Sequence, residues 1–281
     1  MGLSSNRRTG RLGYFGHIAS LGRLLHQNAY MMRTMVIRDM RARYMGSFLG
    51  FFWSVIHPLT QLILYYFVFA VVMKMRLGPE YGGTSYAFWL IAGLLPWMLF
   101  AEAVSRSPNA VIEQSNLVKK MPFPSEIFPI VNLTAAIVNH LIGLTLLIGF
   151  LVLFGDGVSF NILWVLPYLA VTTLFILGVT WLLSAVNVFL RDIGQIISVV
   201  VNIWFFLTPI IYPPSLVPDS VMGILRLNPM LHVVDGYRMA ILGKADVDMG
   251  GLAYVLVAGL VAFALGGMTF KKLKPAFADV L

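Results

Sequence analysis

The stretch IFPIVNLTAAIVNHLIGLTLLIGFLVLF, Ile127 to Phe154, contains no Asp, Glu, Lys or Arg. An α-helix needs about 20 apolar residues to cross the hydrocarbon core of a bilayer, and this stretch is longer than that. Hydrophobic residues make up 59% of the whole chain and charged residues only 11%, far from the composition of soluble domains. The sequence therefore predicts an all-α integral membrane protein with several membrane spans.

Hydropathy places further spans on both sides of this stretch. The six predicted spans are Leu49 to Met73, Tyr86 to Ala103, Ile127 to Phe154, Ile162 to Leu190, Ile193 to Tyr212 and Gly251 to Phe270. They form one transmembrane domain over residues 49–270. A cytoplasmic segment, residues 1–48, precedes this domain, and a cytoplasmic tail, residues 271–281, follows it.

The distribution of basic residues predicts the orientation. Most of the 20 lysines and arginines fall before the first span, in the loop after the second span, at Arg191 and after the last span. Cytoplasmic segments carry an excess of Lys and Arg, so both ends of the chain are expected in the cytoplasm. This topology also accounts for the net charge of +8 without nucleic-acid binding.

A basic segment precedes the first span. From Gly22 to Tyr44, apolar residues recur at helical spacing among arginines, which predicts an amphipathic helix in the inner membrane interface. Its arginines could attract a pyrophosphate-linked lipid headgroup. These arginines are Arg33, Arg38, Arg41 and Arg43. The alternative is a plain membrane anchor.

The loop between the second and third spans is polar and stiff. Ser107 is suited to cap a short helix that begins with Pro108 and runs to about Val118. The stretch NLVKKMPFP, Asn116 to Pro124, then supplies two lysines that suit the C-terminal end of a helix and two prolines that stop it. The sequence predicts a short helix held at the cytoplasmic surface.

The segment from Pro213 to Gly250 is long and rich in proline. Arg226, Asp235 and Arg238 interrupt its apolar residues, so it is not expected to span the membrane. Short amphipathic or re-entrant helices at the outer face are predicted instead, because backbone at membrane depth must be covered by protein or water.

Several kinds of site lack the residues they need. The chain has no cysteine and no G-x-x-x-x-G-K-[ST] phosphate loop, and its five histidines have no carboxylates at metal-ligand spacing. Within the predicted spans the only carboxylate is Glu102, near a span end, where it can pair with Arg106 one turn later. Ion-driven carriers usually need buried ionisable groups. The chain is therefore expected to take its energy from another protein.

Aromatic residues are abundant, and an interfacial belt explains most of those near span ends. A deeper set could instead line a path along which sugar rings slide over aromatic faces. These residues are Tyr65, Tyr66, Trp204 and Phe205.

Several stretches resemble the membrane subunits of type-2 ABC exporters, most closely those that export O-antigen or capsular polysaccharide. The stretches are RDMRARYMGSFLGFFWSVIHPL (Arg38 to Leu59), NLVKKMPFPSEIFP (Asn116 to Pro129), NVFLRDIGQI (Asn187 to Ile196), FFLTPIIYPPS (Phe205 to Ser215) and LNPM (Leu227 to Met230), followed by Tyr237 and Arg238. They occur in the family's order and together cover nearly the whole chain.

The resemblance implies a permease that hydrolyses no ATP itself and binds no cofactor or metal. ATP and Mg²⁺ would be bound by a separate ABC ATPase, and two permeases with two ATPases would form the exporter in the inner membrane of a bacterium. The resemblance also implies a gate helix at Gly22 to Tyr44 and a coupling helix within Ser107 to Pro124, with the Arg191–Asp192 turn as a second ATPase contact. A helix cap by Asp192 is the alternative for that turn. The implied contact residues are Ser107, Pro108, Asn109, Glu113, Asn116, Lys119, Lys120, Pro122, Arg191 and Asp192.

Export of lipid-linked polysaccharide, of O-antigen or capsule type, is the function these observations predict. One alternative is a type-2 exporter of teichoic acid, a glycolipid or a drug. Another is a membrane glycosyltransferase or polymerase, which would need a cluster of loop carboxylates. The outer segment offers only Asp219, Asp235, Asp246 and Asp248, and these form no convincing motif.

Overall fold

A computed structural model describes residues 27–44, 52–81, 83–120, 123–155 and 157–281. This part of the chain consists of helices and turns and contains no β-strand, which confirms the all-α prediction. The α-helices are α1 (Ala29–Tyr44), α2 (Trp53–Tyr65), α3 (Tyr86–Arg106), α4 (Ser115–Lys120), α5 (Ile127–Phe154), α6 (Val165–Asn187), α7 (Ile193–Phe206), α8 (Asp219–Leu225), α9 (Pro229–Leu242), α10 (Met249–Leu273) and α11 (Phe277–Val280). A π-helical segment, Tyr66–Val72, continues α2.

Among the described residues, four helical runs are long and apolar enough to cross a membrane. They are Tyr86–Asn109, Ile127–Phe154, Phe160–Asn187 and Met249–Val280. Two shorter apolar helices, Leu59–Phe69 and Ile193–Phe206, accompany them. The chain is therefore a helical membrane protein that crosses the bilayer several times.

Helix α3 lies in the middle of the bundle. In its most apolar stretch 67% of the residues are buried, against 22% in both α5 and α10. Its Trp89, Trp97 and Phe100 belong to the main hydrophobic core. Most exposed residues of α5 and α10 are apolar, among them Leu153, Phe154 and Val257, as expected of helices that face lipid.

Glycine residues bring α6 and α10 into backbone contact. A Cβ atom on Gly178 would overlap the backbone of Ala262 and Phe263, and one on Gly266 would overlap the carbonyl oxygen of Gly178. Small residues are the usual means of close helix packing in membranes. These two helices therefore pack without intervening side chains at this level.

The predicted fifth span is too long. Helix α7 ends at Phe206, and residues 207–212 are non-helical, although the prediction continued to Tyr212. Pro209 has no amide hydrogen with which to continue the helix. Hydropathy does not detect this break because the residues concerned are themselves apolar.

Other boundaries differ less. Helix α5 has the predicted bounds, with Gly155 in an extended conformation after it. Helix α10 continues to Leu273 and is followed by a 3-10 turn and α11, so much of the predicted tail is helical. The predicted outer-face segment contains the short helices α8 and α9. The first residues of the predicted interfacial helix, 22–26, and of the first span, 49–51, lie outside the described residues.

Candidate functional site

The segment between α3 and α5 holds most of the predicted contact residues. We call its described part, residues 107–120, the connector. It consists of the 3-10 turns Ser107–Asn109 and Ile112–Gln114, followed by α4. The prediction of a single α-helix is therefore wrong, because the connector is built from three short helical pieces.

Ser107 is not the N-cap that the sequence indicates. Its dihedral angles are helical, and its hydroxyl donates a 2.8 Å hydrogen bond to the carbonyl of Val104. The chain therefore runs from α3 into the connector without the break that an N-cap requires. Ser107 and Pro108 are buried at this junction.

One face of the connector is exposed. Its exposed residues are Asn109, Glu113, Asn116 and Lys119. They recur every three or four residues along the connector, and we call them the connector row. Four of the predicted contact residues are thus exposed within one short segment. Lys120 is the last residue of α4, and Pro122 lies outside the described residues.

Glu113 is the titratable member of the connector row with a shifted pKa. Partial desolvation raises the pKa of its carboxyl group, and the nearby Asp39 carboxylate raises it further. Its surroundings therefore favour the protonated form.

Asn187, at the end of α6, joins the connector to the turn before α7. Its amide nitrogen donates to the carbonyl of Pro108 (2.9 Å) and to Oδ1 of Asn109 (3.4 Å). Its amide oxygen accepts from the backbone N–H of Gly194 (3.2 Å). As an uncharged polar residue within a predicted span, Asn187 was expected to form a hydrogen bond to another helix. The sequence did not predict that it would join the connector to the α6–α7 turn.

The predicted second contact lies beside this junction. Arg191 and Asp192 are both exposed in the turn between α6 and α7. Asp192 occupies the N-cap position of α7, but its backbone is helical and its side chain makes no capping hydrogen bond. The alternative interpretation of Asp192 as a local cap is therefore wrong.

Helix α1 packs on the connector. Met35, 9% exposed, lies in a cluster with Ala110, Val111 and Phe128. Arg38 of the same helix donates a 3.1 Å hydrogen bond to the side chain of Gln114. The predicted interfacial helix is thus attached to the connector by apolar and polar contacts.

A bidentate ion pair joins α1 to the end of α3. Arg106 donates to the two carboxylate oxygens of Asp39 at 2.7 and 3.1 Å. The predicted pairing of Arg106 with Glu102 is therefore wrong. Glu102 accepts from the amide nitrogen of Asn139 on α5 instead. The spacing of Glu102 and Arg106 in the sequence could not reveal that each binds a different partner, because Asp39 of α1 is distant from Arg106 along the chain.

The predicted headgroup arginines have different surroundings. Arg33, Arg38 and Arg41 are all exposed on α1, and Arg38 also donates a hydrogen bond to Gln114 of the connector. Arg43 lies in the last turn of α1.

The C-terminal end of the described chain also packs near the connector. Lys274 forms an ion pair with Glu126, just before α5, at 2.7 Å. Phe277 is fully buried in a hydrophobic cluster, and Leu281 packs against this cluster, as do Leu117 and Val118 of the connector. The connector is thus supported by α1, by the α6–α7 turn and by the C-terminal residues.

A second polar cluster surrounds the non-helical residues after α7. Arg238 of α9, 5% exposed, donates to the carbonyls of Pro209 (2.9 Å) and Ile210 (2.8 Å). Its guanidinium carbon lies 3.5 Å from the ring centre of Trp89, and it pairs with Asp235 at 3.0 Å. Burial lowers the pKa of Arg238, and the Asp235 carboxylate opposes that shift.

Asn228 fixes the start of α9 at the same place. Its side-chain oxygen accepts from the backbone N–H of Met230 (2.9 Å) and from the indole of Trp204 (2.8 Å), and its amide donates to Thr208 (2.8 Å). The LNPM stretch therefore contains an N-cap that also binds α7. The predicted re-entrant segment is held against α7 through these bonds.

The aromatic residues predicted to line a sugar path lie near this cluster. Phe205 is 8% exposed and its ring centre lies 5.9 Å from that of Tyr65. Trp204 packs edge-on against Phe100 at 5.0 Å, while Tyr66 is 44% exposed. In one subunit, therefore, Tyr66 presents the largest open surface of the set.

Within the described residues, no group of three His, Cys, Asp or Glu residues could hold a metal ion.

Comparison with known proteins identifies the family of this chain. A sequence model of the family described as ABC-2 type transporter matches residues 30–242. The chain belongs to the ABC-2 type transporter family. It is thus a transport permease of that family, as its motifs indicated, and the family works with an ABC ATPase.

Relatives of this permease are named for polysaccharide export. The O-antigen export system permease protein RfbA of Klebsiella pneumoniae is 29% identical over 87% of this chain and 92% of the relative. The protein of the same name from Myxococcus xanthus is 28% identical over 92% and 98%. The polysialic acid transport protein KpsM of Escherichia coli is 23% identical over 84% and 90%.

Proposed function

We propose that this permease is the membrane-spanning subunit of an ATP-driven exporter of lipid-linked polysaccharide, of O-antigen or capsule type. The observation that carries the proposal is the similarity to O-antigen export permeases over nearly their whole length, 98% in the Myxococcus xanthus protein. Because this similarity extends over nearly the whole length of these permeases, it includes both the elements around the connector and those around α9. The exporter would act in the inner membrane of a bacterium.

The proposed topology has six spans with both ends of the chain in the cytoplasm. The four runs of spanning length, together with the shorter helices at Leu59–Phe69 and Ile193–Phe206, supply the six. In this topology the connector and the Arg191–Asp192 turn face the cytoplasm, and α8 and α9 lie at the outer face. The excess of Lys and Arg in the cytoplasmic segments supports this orientation.

Helix α7 supports a homodimer. Gln195, Ser198 and Asn202 are exposed along one of its faces, at a spacing of three and four residues. An amide that faces lipid is costly, so this face is better suited to a partner subunit or to a hydrated path. Two subunits related by a twofold axis would bring two such faces together. Tyr66, also exposed, would be the first candidate to contact sugar rings.

The connector row is the proposed docking surface for the ABC ATPase. It presents amide, carboxylate and ammonium groups at exposed positions along the connector, and the hydrophobic cluster packed behind the connector includes residues of α1, α5, α6 and α10. ATP and Mg²⁺ would bind to the ATPase, and movement of its two copies would push on the connector and open a path between the subunits. Exposed Arg33 and Arg41 would attract the pyrophosphate of the lipid carrier.

A charge reversal tests the docking surface. Glu113→Lys places a cation in the middle of the connector row, and Asp219→Lys makes the same change at an exposed position on α8. Co-purification of the partner ATPase from membranes should be lost with Glu113→Lys and kept with Asp219→Lys. Equal ATPase binding by both variants would show that the docking surface lies elsewhere.

Transport itself is tested in proteoliposomes that contain the permease, its ATPase and a lipid-linked glycan. ATP should move the glycan to the opposite leaflet, where an added glycosidase or lectin detects it. A complex that assembles and hydrolyses ATP but moves no lipid-linked glycan would refute the proposed substrate class.

A further inference from the structure

Asn187 is a buried amide that reaches two other segments of the chain at once. The residue is 1% exposed. Its nitrogen donates to Pro108 and Asn109 in the connector, and its oxygen accepts from Gly194 at the start of α7. Both ends of the amide group are therefore occupied by partners outside α6.

The connector and the α6–α7 turn are also in direct contact here. A Cβ atom on Gly194 would lie 3.9 Å from the Cβ of Pro108 and 4.0 Å from Oδ1 of Asn109, which is ordinary van der Waals distance. The hydrogen bonds and the close approach thus occur at one place.

Separating these two segments would leave polar groups without partners. The amide of Asn187 and the carbonyl of Pro108 would lose a short hydrogen bond inside a site from which water is largely excluded, and an unpaired buried polar group is unfavourable. The two segments therefore have a strong preference to move together.

We propose that Asn187 is a positioning residue that makes the connector and the Arg191–Asp192 turn move as one unit during the ATP cycle. The proposal rests on the proposed function, because it takes the connector to be the place where the ATPase docks. A displacement at either contact is then transmitted to α6 through the same side chain. Without Asn187 the ATPase can still bind and hydrolyse ATP, but its movement is passed on less completely.

The absence of cysteine from the chain permits a direct test. The pair Pro108→Cys and Gly194→Cys places two Cβ atoms about 4 Å apart, within the range that a disulfide requires. The Pro108 carbonyl, which Asn187 binds, is retained in this variant. Oxidation then replaces the link through Asn187 by a covalent one, and reduction removes it.

The first measurement needs no transported substrate. In the complex with the ATPase, the cysteine pair should form its disulfide rapidly both without nucleotide and with ATP and vanadate. When Asn187→Leu is added, the rate of disulfide formation should fall about tenfold, the factor that corresponds to about 1.4 kcal/mol, the scale of one hydrogen bond. An unchanged rate would show that Asn187 does not hold the segments together.

The second measurement is glycan export per ATP hydrolysed in proteoliposomes. Asn187→Leu alone should keep ATPase binding and lower this ratio about tenfold, by the same reasoning. The control is Ser184→Ala, one turn earlier on α6, whose buried hydroxyl donates to the carbonyl of Trp181 within the same helix. Its ratio should stay that of the parent chain.

Restoration by the disulfide separates positioning from general damage. The triple variant carries Asn187→Leu together with the pair Pro108→Cys and Gly194→Cys. When oxidised, it should export as much glycan per ATP hydrolysed as the oxidised cysteine pair that retains Asn187. Reduction of the disulfide should abolish this recovery. A disulfide that forms without restoring the ratio would overturn the proposal. If the parent complex moved no glycan at all, the proposed function would fail, while the rate of disulfide formation would still decide the role of Asn187.

Discussion

Replacing Arg238 should destabilise the permease more than replacing any exposed arginine. In Arg238→Met, the carbonyls of Pro209 and Ile210 lose the donors that bind them at 2.9 and 2.8 Å. These carbonyls belong to non-helical backbone, which has no intrahelical partner to replace the arginine. Asp235 loses its ion pair as well, but it is 28% exposed, so water can solvate it in part.

The size of the effect follows from these contacts. Hydrogen bonds to a charged group contribute about 1.5–3 kcal/mol each, so the two bonds to the carbonyls set the scale, and the partly exposed Asp235 adds less. Such contributions do not add within one network, so a total of about 3–5 kcal/mol is expected. For a chain of this size that corresponds to a decrease in Tm of about 5–10 °C. Arg238→Lys keeps the charge but cannot bind two carbonyls with a planar fork, so its decrease should be about half as large.

Thermal unfolding of the purified permease in detergent, followed by intrinsic tryptophan fluorescence, measures these shifts. Arg226→Met is the matched control, because Arg226 is exposed beside α8 and should change the stability by no more than about 0.5 kcal/mol. A decrease for Arg238→Met no larger than that of Arg226→Met would refute the assignment of Arg238 as the residue that holds α9 to the backbone after α7.

Three further predictions concern α9, the α6–α10 contact and the connector. Asn228→Ala should lower stability by about 1–3 kcal/mol, since a cap and two tertiary hydrogen bonds are lost; urea or thermal unfolding measures this, and a neutral result would contradict it. Gly266→Ala should lower Tm, because the added Cβ would overlap the carbonyl of Gly178. The control Gly149→Ala should not lower Tm, because a Cβ there has no neighbour within 4 Å. Equal Tm values for the two variants would contradict the backbone contact between α6 and α10. The raised pKa of Glu113 means that the packed connector binds a proton more strongly than the unfolded chain does, so its packing should weaken as pH rises through that pKa. Limited proteolysis of the connector against pH measures this, and Glu113→Gln should remove the dependence.

Hydropathy was sufficient where a span is bounded by polar or flexible residues. Helix α5 could be placed from Ile127 to Phe154 because Glu126 precedes the apolar run and Gly155 follows it. The end of α7 could not, since Leu207, Ile210 and Ile211 are as apolar as the helix before them. What ends α7 is the geometry of Pro209 together with Arg238 of α9, which binds the carbonyls of Pro209 and Ile210.

In the candidate site, too, some features could be predicted from the sequence and others could not. The exposed position of Glu113 and Asn116 could be anticipated from a polar segment between apolar runs. The roles of Asn187 and Arg238 depend on partners about 80 and 150 positions away or on the far side of a turn, and nothing in a single sequence identifies such partners. Ser107 misled for a related reason, because its hydroxyl can either cap a helix or bond back to the preceding turn, and packing decides between the two.

The bonds of Arg238 also constrain the order in which the protein is made. Pro209 and Ile210 are synthesised and reach the membrane before residue 238 does, so their carbonyls spend that interval without the guanidinium that finally binds them. Unpaired carbonyls are not stable in hydrocarbon, and the segment after α7 must therefore remain hydrated until α9 arrives. The outer end of the permease is thus completed late in biogenesis, and a chain truncated before Arg238 would expose a hydrated, incompletely inserted segment to the quality-control proteases of the membrane.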